Sequence, residues 1–104
     1  MLDANSLKDV VRDSLMAMSL PERDEFIRTL ETEARRVNVN LRAYLVPIGI
    51  PGRSTEDMTP TEIGHLARFL KINVPKAMAA LERAMAHFPV FAEKMSRSGH
   101  PLAA

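Results

Sequence analysis

The chain has no cysteine and no tryptophan, one tyrosine and four glycines in 104 residues. Without thiols there is no disulfide framework, no thiolate zinc or iron–sulfur site and no thiol nucleophile, and the lack of cysteine fits a reducing compartment. Long hydrophobic runs are missing as well. The longest, Leu45 to Ile50 (broken by Pro47) and Ala77 to Leu81, fall far short of the roughly 20 apolar residues that cross a bilayer. The N-terminus meets an acid at Asp3 and lacks the basic and apolar organisation of a signal peptide. These absences place the protein in the cytoplasm with no membrane contact. Charge of one sign is also lacking: 14 Lys and Arg stand against 13 Asp and Glu, with 46% apolar and 26% charged residues. That balance belongs to an ordinary folded domain rather than a disordered or supercharged chain.

What is plentiful is punctuation. Seven prolines and several capping residues divide the chain, because proline suits a first helical turn and hydroxyl or carboxamide side chains satisfy the free N–H groups there. Ser6 with Asp9 opens a first helix whose Leu7, Val10, Val11, Leu15 and Met18 form one stripe. Ser19 with Glu22, and Pro21 between them, opens a second, lined by Phe26, Ile27, Leu30, Ala34 and Val37. The joint at Met18–Ser19 is so short that an antiparallel or steeply crossed hairpin is expected. Asn40 caps a short segment, Leu41 to Leu45, which Pro47 stops. Two prolines and two glycines make 46–58 a long ordered loop, with Val46, Ile48 and Ile50 as plugs and Arg53 paired to Glu56 or Asp57.

Thr59, Pro60 and Glu62 begin the next helix, with Ile63, Leu66, Ala67 and Leu70 on its buried stripe. Asn73 and Pro75 start a last helix with two apolar rows. One is Val74, Met78, Leu81, Met85 and Phe88; the other is Ala77, Leu81, Ala84, Phe88, Phe91 and Met95. Pro89 kinks or restarts it, and Ser98, Gly99 and Pro101 end order before a flexible tail at 98–104. The expected fold is all-α: one compact bundle of four to five helices spanning 1–97.

The chemistry-bearing residues are sparse. Glu62 and His65 stand at the i, i+3 spacing of di-iron bundles, yet those need a second such pair, and Glu62 already serves as a capping acid. His65, His87 and His100 have no nucleophile at a telling spacing. The stretch Gly49 to Thr55 lacks the spacing of a phosphate loop, and Pro51 removes a donor N–H. No enzyme, cofactor, metal or small-molecule substrate is expected.

Two non-enzymatic readings remain. The wide apolar face of the last helix, Ala77, Leu81, Ala84, Phe88, Phe91 and Met95, is more than so few helices can cover, so it is read as a homodimer interface. Ala79, Ala80 and Ala86, edged by Lys76 and Arg83, form a small-residue face opposite it. The second reading starts from Glu62 to Leu81, where Ala67, Leu70, Ile72, Asn73, Met78 and Leu81 are spaced as two helices meeting across a short turn. This stretch resembles a helix-turn-helix, which implies DNA binding through residues 60–88. Residues 63–100 carry six Lys and Arg against two acids, while 1–52 carry seven against eight. Arg68, Lys71, Lys76 and Arg83 are then phosphate contacts, with alanines in place of base-reading side chains.

Overall fold

The computed structural model describes residues 3–45, 47–49 and 57–97. Five α-helices form within them: α1 (Ala4–Met16), α2 (Leu20–Arg36), α3 (Pro60–Asn73), α4 (Met78–Ala86) and α5 (Pro89–Arg97). Single turns of 3-10 helix occur at Leu41–Tyr44 and Pro75–Ala77. No strand appears among the described residues, and the fold is all-α. The plug residues Val46 and Ile50, the Arg53 pairing and the tail at 98–104 lie outside the described residues. Of the loop, Pro47–Gly49 forms a turn and Ile48 packs against the core.

Capping explains most of the helix starts. The Ser19–Glu22 and Thr59–Glu62 boxes both form; in the second, Glu62 N–H donates to Thr59 Oγ1 (3.2 Å) and Thr59 N–H to Glu62 Oε1 (2.9 Å). The first helix corrects the expectation for Ser6. Asp3 is the cap, its Oδ1 accepting the Ser6 N–H at 2.7 Å, and helix begins at Ala4. A carboxylate there answers both the free N–H groups and the positive end of the helix dipole. Asn73 is also corrected: it ends α3, its side-chain amide donating back to Phe69 O at 3.2 Å, and it caps nothing downstream. The chain instead enters α4 through Val74 and the Pro75–Ala77 turn with no side-chain cap. Asn40 does cap, accepting from Arg42 N–H at 3.1 Å, but the segment it opens is one 3-10 turn rather than an α-helix. Pro89 restarts the chain as α5.

The helix ends where its stripe does, at Val37, but the way it closes was not foreseen. Val37 ends the helix, Asn38 takes a left-handed conformation (φ 58°), and the Asn38 and Val39 N–H groups bond Arg35 O (3.1 Å) and Ala34 O (2.9 Å). This is a Schellman closure, with asparagine in the position usually given to glycine.

The helices do not pair in chain order. α1 packs mainly on α3, α2 on α4, and α5 covers α1 and α4. Of the two arrangements expected of α1 and α2, the antiparallel hairpin is therefore not formed. Arg23 bridges their corner instead, its Nε donating to Leu15 O (2.7 Å) and closing a carbonyl at the end of α1. The α1–α3 crossing is tight. A Cβ on Gly64 would lie 2.7 Å from Lys8 O, and Arg68 Nε donates to Asn5 Oδ1 at 2.9 Å, so the two helices run antiparallel. A close helix approach is thus made at Gly64, against α1. On the other side of the molecule Phe26 meets Phe88 (ring centroids 5.7 Å) and Phe91 (4.9 Å), while Glu33 meets Arg83. These contacts run α2 antiparallel to α4 and α5's first turn.

The core includes all five expected stripe residues of α1 and takes Phe26, Ile27, Leu30 and Ala34 from α2. The six residues assigned to a dimer interface are also in it: Ala77, Leu81, Ala84, Phe88, Phe91 and Met95 are between 0% and 9% exposed. That assignment is corrected. The stripe looked too wide because it was counted as the face of one helix; the break at Pro89 splits it over α4 and α5, and α1 and α2 cover both parts. Ala80 is likewise buried, whereas Ile72, read as bracketing the turn, is 53% exposed.

Candidate functional site

The basic residues read as phosphate contacts are spread over two helices and a turn. Arg68 is exposed on α3 but held by Asn5; Lys71 is half-buried; Lys76 is exposed on the Pro75–Ala77 turn; Arg83 is exposed on α4. The structure brings Arg83 to the carboxylate of Glu33 on α2 (3.8 Å), which Arg36 also approaches at 3.2 Å. Beside Arg83 on α4 lies Glu82, also exposed. The positive potential at this face is therefore partly answered by acids.

Glu33 is the residue that pattern reading missed. An acid on a helix is expected at the surface, yet Glu33 is buried, and among the described residues its Oε2 accepts no hydrogen bond. Two arginines, each with nearly two thirds of its side chain exposed, cover it. Their exposure keeps the Coulomb attraction modest, so a desolvated oxygen is held there at a cost rather than a gain. The one sequence hint was position: Glu33 lies three residues after Leu30 and seven after Phe26, on the apolar stripe. Ser14 is a second such orphan, fully buried on α1 with no hydrogen bond to its hydroxyl among the described residues.

Glu62 is occupied as a capping acid and His65 is exposed on the same helix. No group of three or more potential metal-ligating side chains occurs among the described residues. On α1, Arg12 bonds Asp13 (3.0 Å) and pairs with Asp9 (3.5 Å), and the hydrogen bond to Asp13 above all raises its already high pKa.

Two surface features stand out. The first is the corner between α1 and α2. Met16 is 62% and Leu20 69% exposed, with Ala17 and Pro21 exposed beside them. Arg12 and Asp13 precede Met16 by one turn, and Glu22, Arg23 and Asp24 follow Leu20 within about one turn, so the flanking charges are of both signs with one acid in excess. The second is an open cleft of about 530 Å³ where α2 ends, lined by Glu31, Arg35, Asn38, Val39, Asn40, Leu41 and Arg42. The space between Ile27, Leu30, Leu41, Met58, Ile63 and Leu66, by contrast, amounts to about 10 Å³, room for no more than a water. No helix among the described residues is long and apolar enough to cross a membrane. No family model, no curated protein and no solved structure matches the chain.

Proposed function

We propose that this chain is a non-enzymatic interaction protein that self-associates, and that the surface it uses is the α1–α2 corner. The observation that supports the reading is the exposure of Met16 and Leu20, four positions apart, where 26 apolar side chains among the described residues are buried. Large exposed side chains that cluster rather than scatter mark contact surfaces. The occupant is a second copy because the rim carries both signs: in a two-fold pairing the arginines Arg12 and Arg23 of one copy can face Asp13, Glu22 and Asp24 of the other. Association through the C-terminal stripe would require α4 and α5 to leave the core; this corner requires no opening. Sedimentation of the full chain and of a Met16→Ser/Leu20→Ser variant tests it. A dimer abolished by the double substitution supports the reading, and a wild-type monomer at high micromolar concentration refutes it.

One observation favours DNA contact through residues 60–88 as a second reading. α3 and α4 are consecutive helices joined by the short connection Val74–Ala77, with Lys76 exposed on it and Arg83 exposed on α4. Binding of this kind would weaken with salt by a slope near −0.9 per phosphate contact and discriminate little between sequences. Duplex binding that survives physiological salt would favour it over self-association.

A further inference from the structure

Divided at the connection 46–56, the described chain falls into two halves: residues 3–45 with α1 and α2, and residues 57–97 with α3, α4 and α5. The most extensive helix pairings all cross that division, α1 lying on α3 and α5 and α2 on α4. Side chains repeat the pattern. Phe26 meets Phe88 and Phe91, Tyr44 meets Phe69 (ring centroids 5.6 Å), Asn5 accepts from Arg68, and Glu33 faces Arg83. Within each half, by contrast, packing is between neighbours in sequence. α1 and α2 share no broad face and are joined at their corner by Arg23 on Leu15 O; in the second half Phe88 touches Phe91 where α4 passes into α5, and α3 reaches α4 through the Pro75–Ala77 turn.

Each half is therefore one side of a core. Val11, Leu15 and Phe26 from the first and Leu66, Leu81 and Phe91 from the second are at most 1% exposed, and the helices packed on them belong mostly to the other half. A half left alone would present a contiguous apolar face larger than single folded domains expose. The surface that fits this face is the complementary half, and a second copy carries the same one.

We infer that two copies of this chain can exchange halves: residues 3–45 of one pack on residues 57–97 of the other, and the reciprocal pair closes a two-fold dimer. The core contacts are then those of the single chain, so the two forms differ in the path of 46–56 and in the freedom lost on association, which is why exchange of an element costs little beyond pairing itself. A short connection gives each half an effective concentration of order 1 mM for its own partner. The closed chain predominates below that concentration, and exchange takes over where a chain's own second half is unusable. The α1–α2 corner has no part in it, so failure of either mode leaves the other untouched.

The test pairs two full-length variants that cannot close on themselves. Phe26→Glu damages the first half and Phe91→Glu the second, and each is expected to be unfolded alone because its ring is fully buried. In a mixture, the intact first half of the Phe91→Glu chain and the intact second half of the Phe26→Glu chain make one native core. An unfolding constant of about 10⁻³ or smaller, acting on an effective concentration of order 1 mM, puts dissociation of that pair at about 1 μM or tighter. Equimolar variants mixed at about 50 μM should therefore sediment as a heterodimer and recover about half of the wild-type helical signal in circular dichroism, one of the two cores being intact. Adding Met16→Ser and Leu20→Ser to both chains should change nothing, whereas association through the corner would be lost. A second measurement needs no unfolded variant. The chain has no cysteine of its own, so Asn5→Cys and Arg68→Cys chains are refolded together from urea at about 1 mM and joined with a short bis-maleimide. Exchange sets position 5 of one copy beside position 68 of the other, and 5–68 products should exceed the 5–5 and 68–68 products together. A mixture of the glutamate variants as unfolded as its parts, or 5–68 products no commoner than the like pairs together, would each overturn the proposal; should either glutamate variant fold alone, the cross-link decides.

Discussion

Gly64→Ala sets two effects of opposite sign against each other. Alanine is the better helix former by about 1 kcal/mol, so at an exposed helical position the change stabilises. At position 64 the new methyl would meet Lys8 O at 2.7 Å, Lys8 Cγ at 3.3 Å and Arg12 Cβ at 3.5 Å. The nearest atom is backbone and cannot rotate aside; α1 and α3 must separate until the contact reaches at least 3.0 Å. Their crossing carries Leu7, Val10, Val11, Ile63, Leu66 and Ala67, all buried, and parting close-packed surfaces costs about 1 to 3 kcal/mol. The packing loss outweighs the propensity gain, leaving a net destabilisation of about 1 to 2 kcal/mol, or roughly 5 to 15 °C in Tm for a domain of this size. Thermal and urea unfolding followed by circular dichroism measure it. Because the obstacle is the carbonyl, adding Lys8→Ala to the variant should recover little. A Tm that rises, or a full rescue by Lys8→Ala, would refute the close backbone approach.

The other expectations follow the burial pattern. Phe91→Glu, which an exposed C-terminal interface would tolerate as a folded monomer, should abolish folding, because Phe91 is fully buried against Phe26; a native-like NMR spectrum would contradict this. Glu33→Met should be neutral or stabilise by up to about 2 kcal/mol, since it replaces a poorly satisfied buried carboxylate with an apolar side chain of similar length; a urea midpoint lowered by more than that amount would show the Arg36 and Arg83 pairs to be net stabilising. Ser14→Ala should stabilise by about 1 kcal/mol, removing an unbonded buried hydroxyl and improving helix propensity; destabilisation would reveal a hydrogen bond to that oxygen.

Local features were the readable ones. The boxes at Ser19–Glu22 and Thr59–Glu62 and the apolar stripes of the first three long helices depend on residues within a turn or two of each other, and they form as spaced. What failed was non-local. Which helix covers which stripe depends on the path of the whole chain, so the α4–α5 residues from Ala77 to Met95 read as surplus when they are core. Capping was ambiguous where two residues competed: Asp3 and Ser6 both suit a start, and the carboxylate three positions earlier wins. The Schellman closure at Asn38 hid because asparagine, unlike glycine, has many other uses. Of the two surface features, the apolar corner was visible in part as Met16 and Leu20 falling off the stripes. The cleft was not, since it arises only when the end of α2 and the Leu41–Tyr44 turn are folded against each other.

The interleaved pairing of helices bears on how the chain reaches its native state. A bundle built from successive hairpins gains stable contacts as each neighbour arrives, and its low contact order makes it fast to fold. Here α1 waits for α3 and α5, and α2 waits for α4, so loops of several dozen residues must close before either pair is rewarded. Folding is expected to be slow for an all-helical domain of this length. On the ribosome, Phe26 stays without its aromatic partners until Phe88 and Phe91 have been synthesised, which leaves an apolar face of α2 open to chaperones while the stretch between them is made.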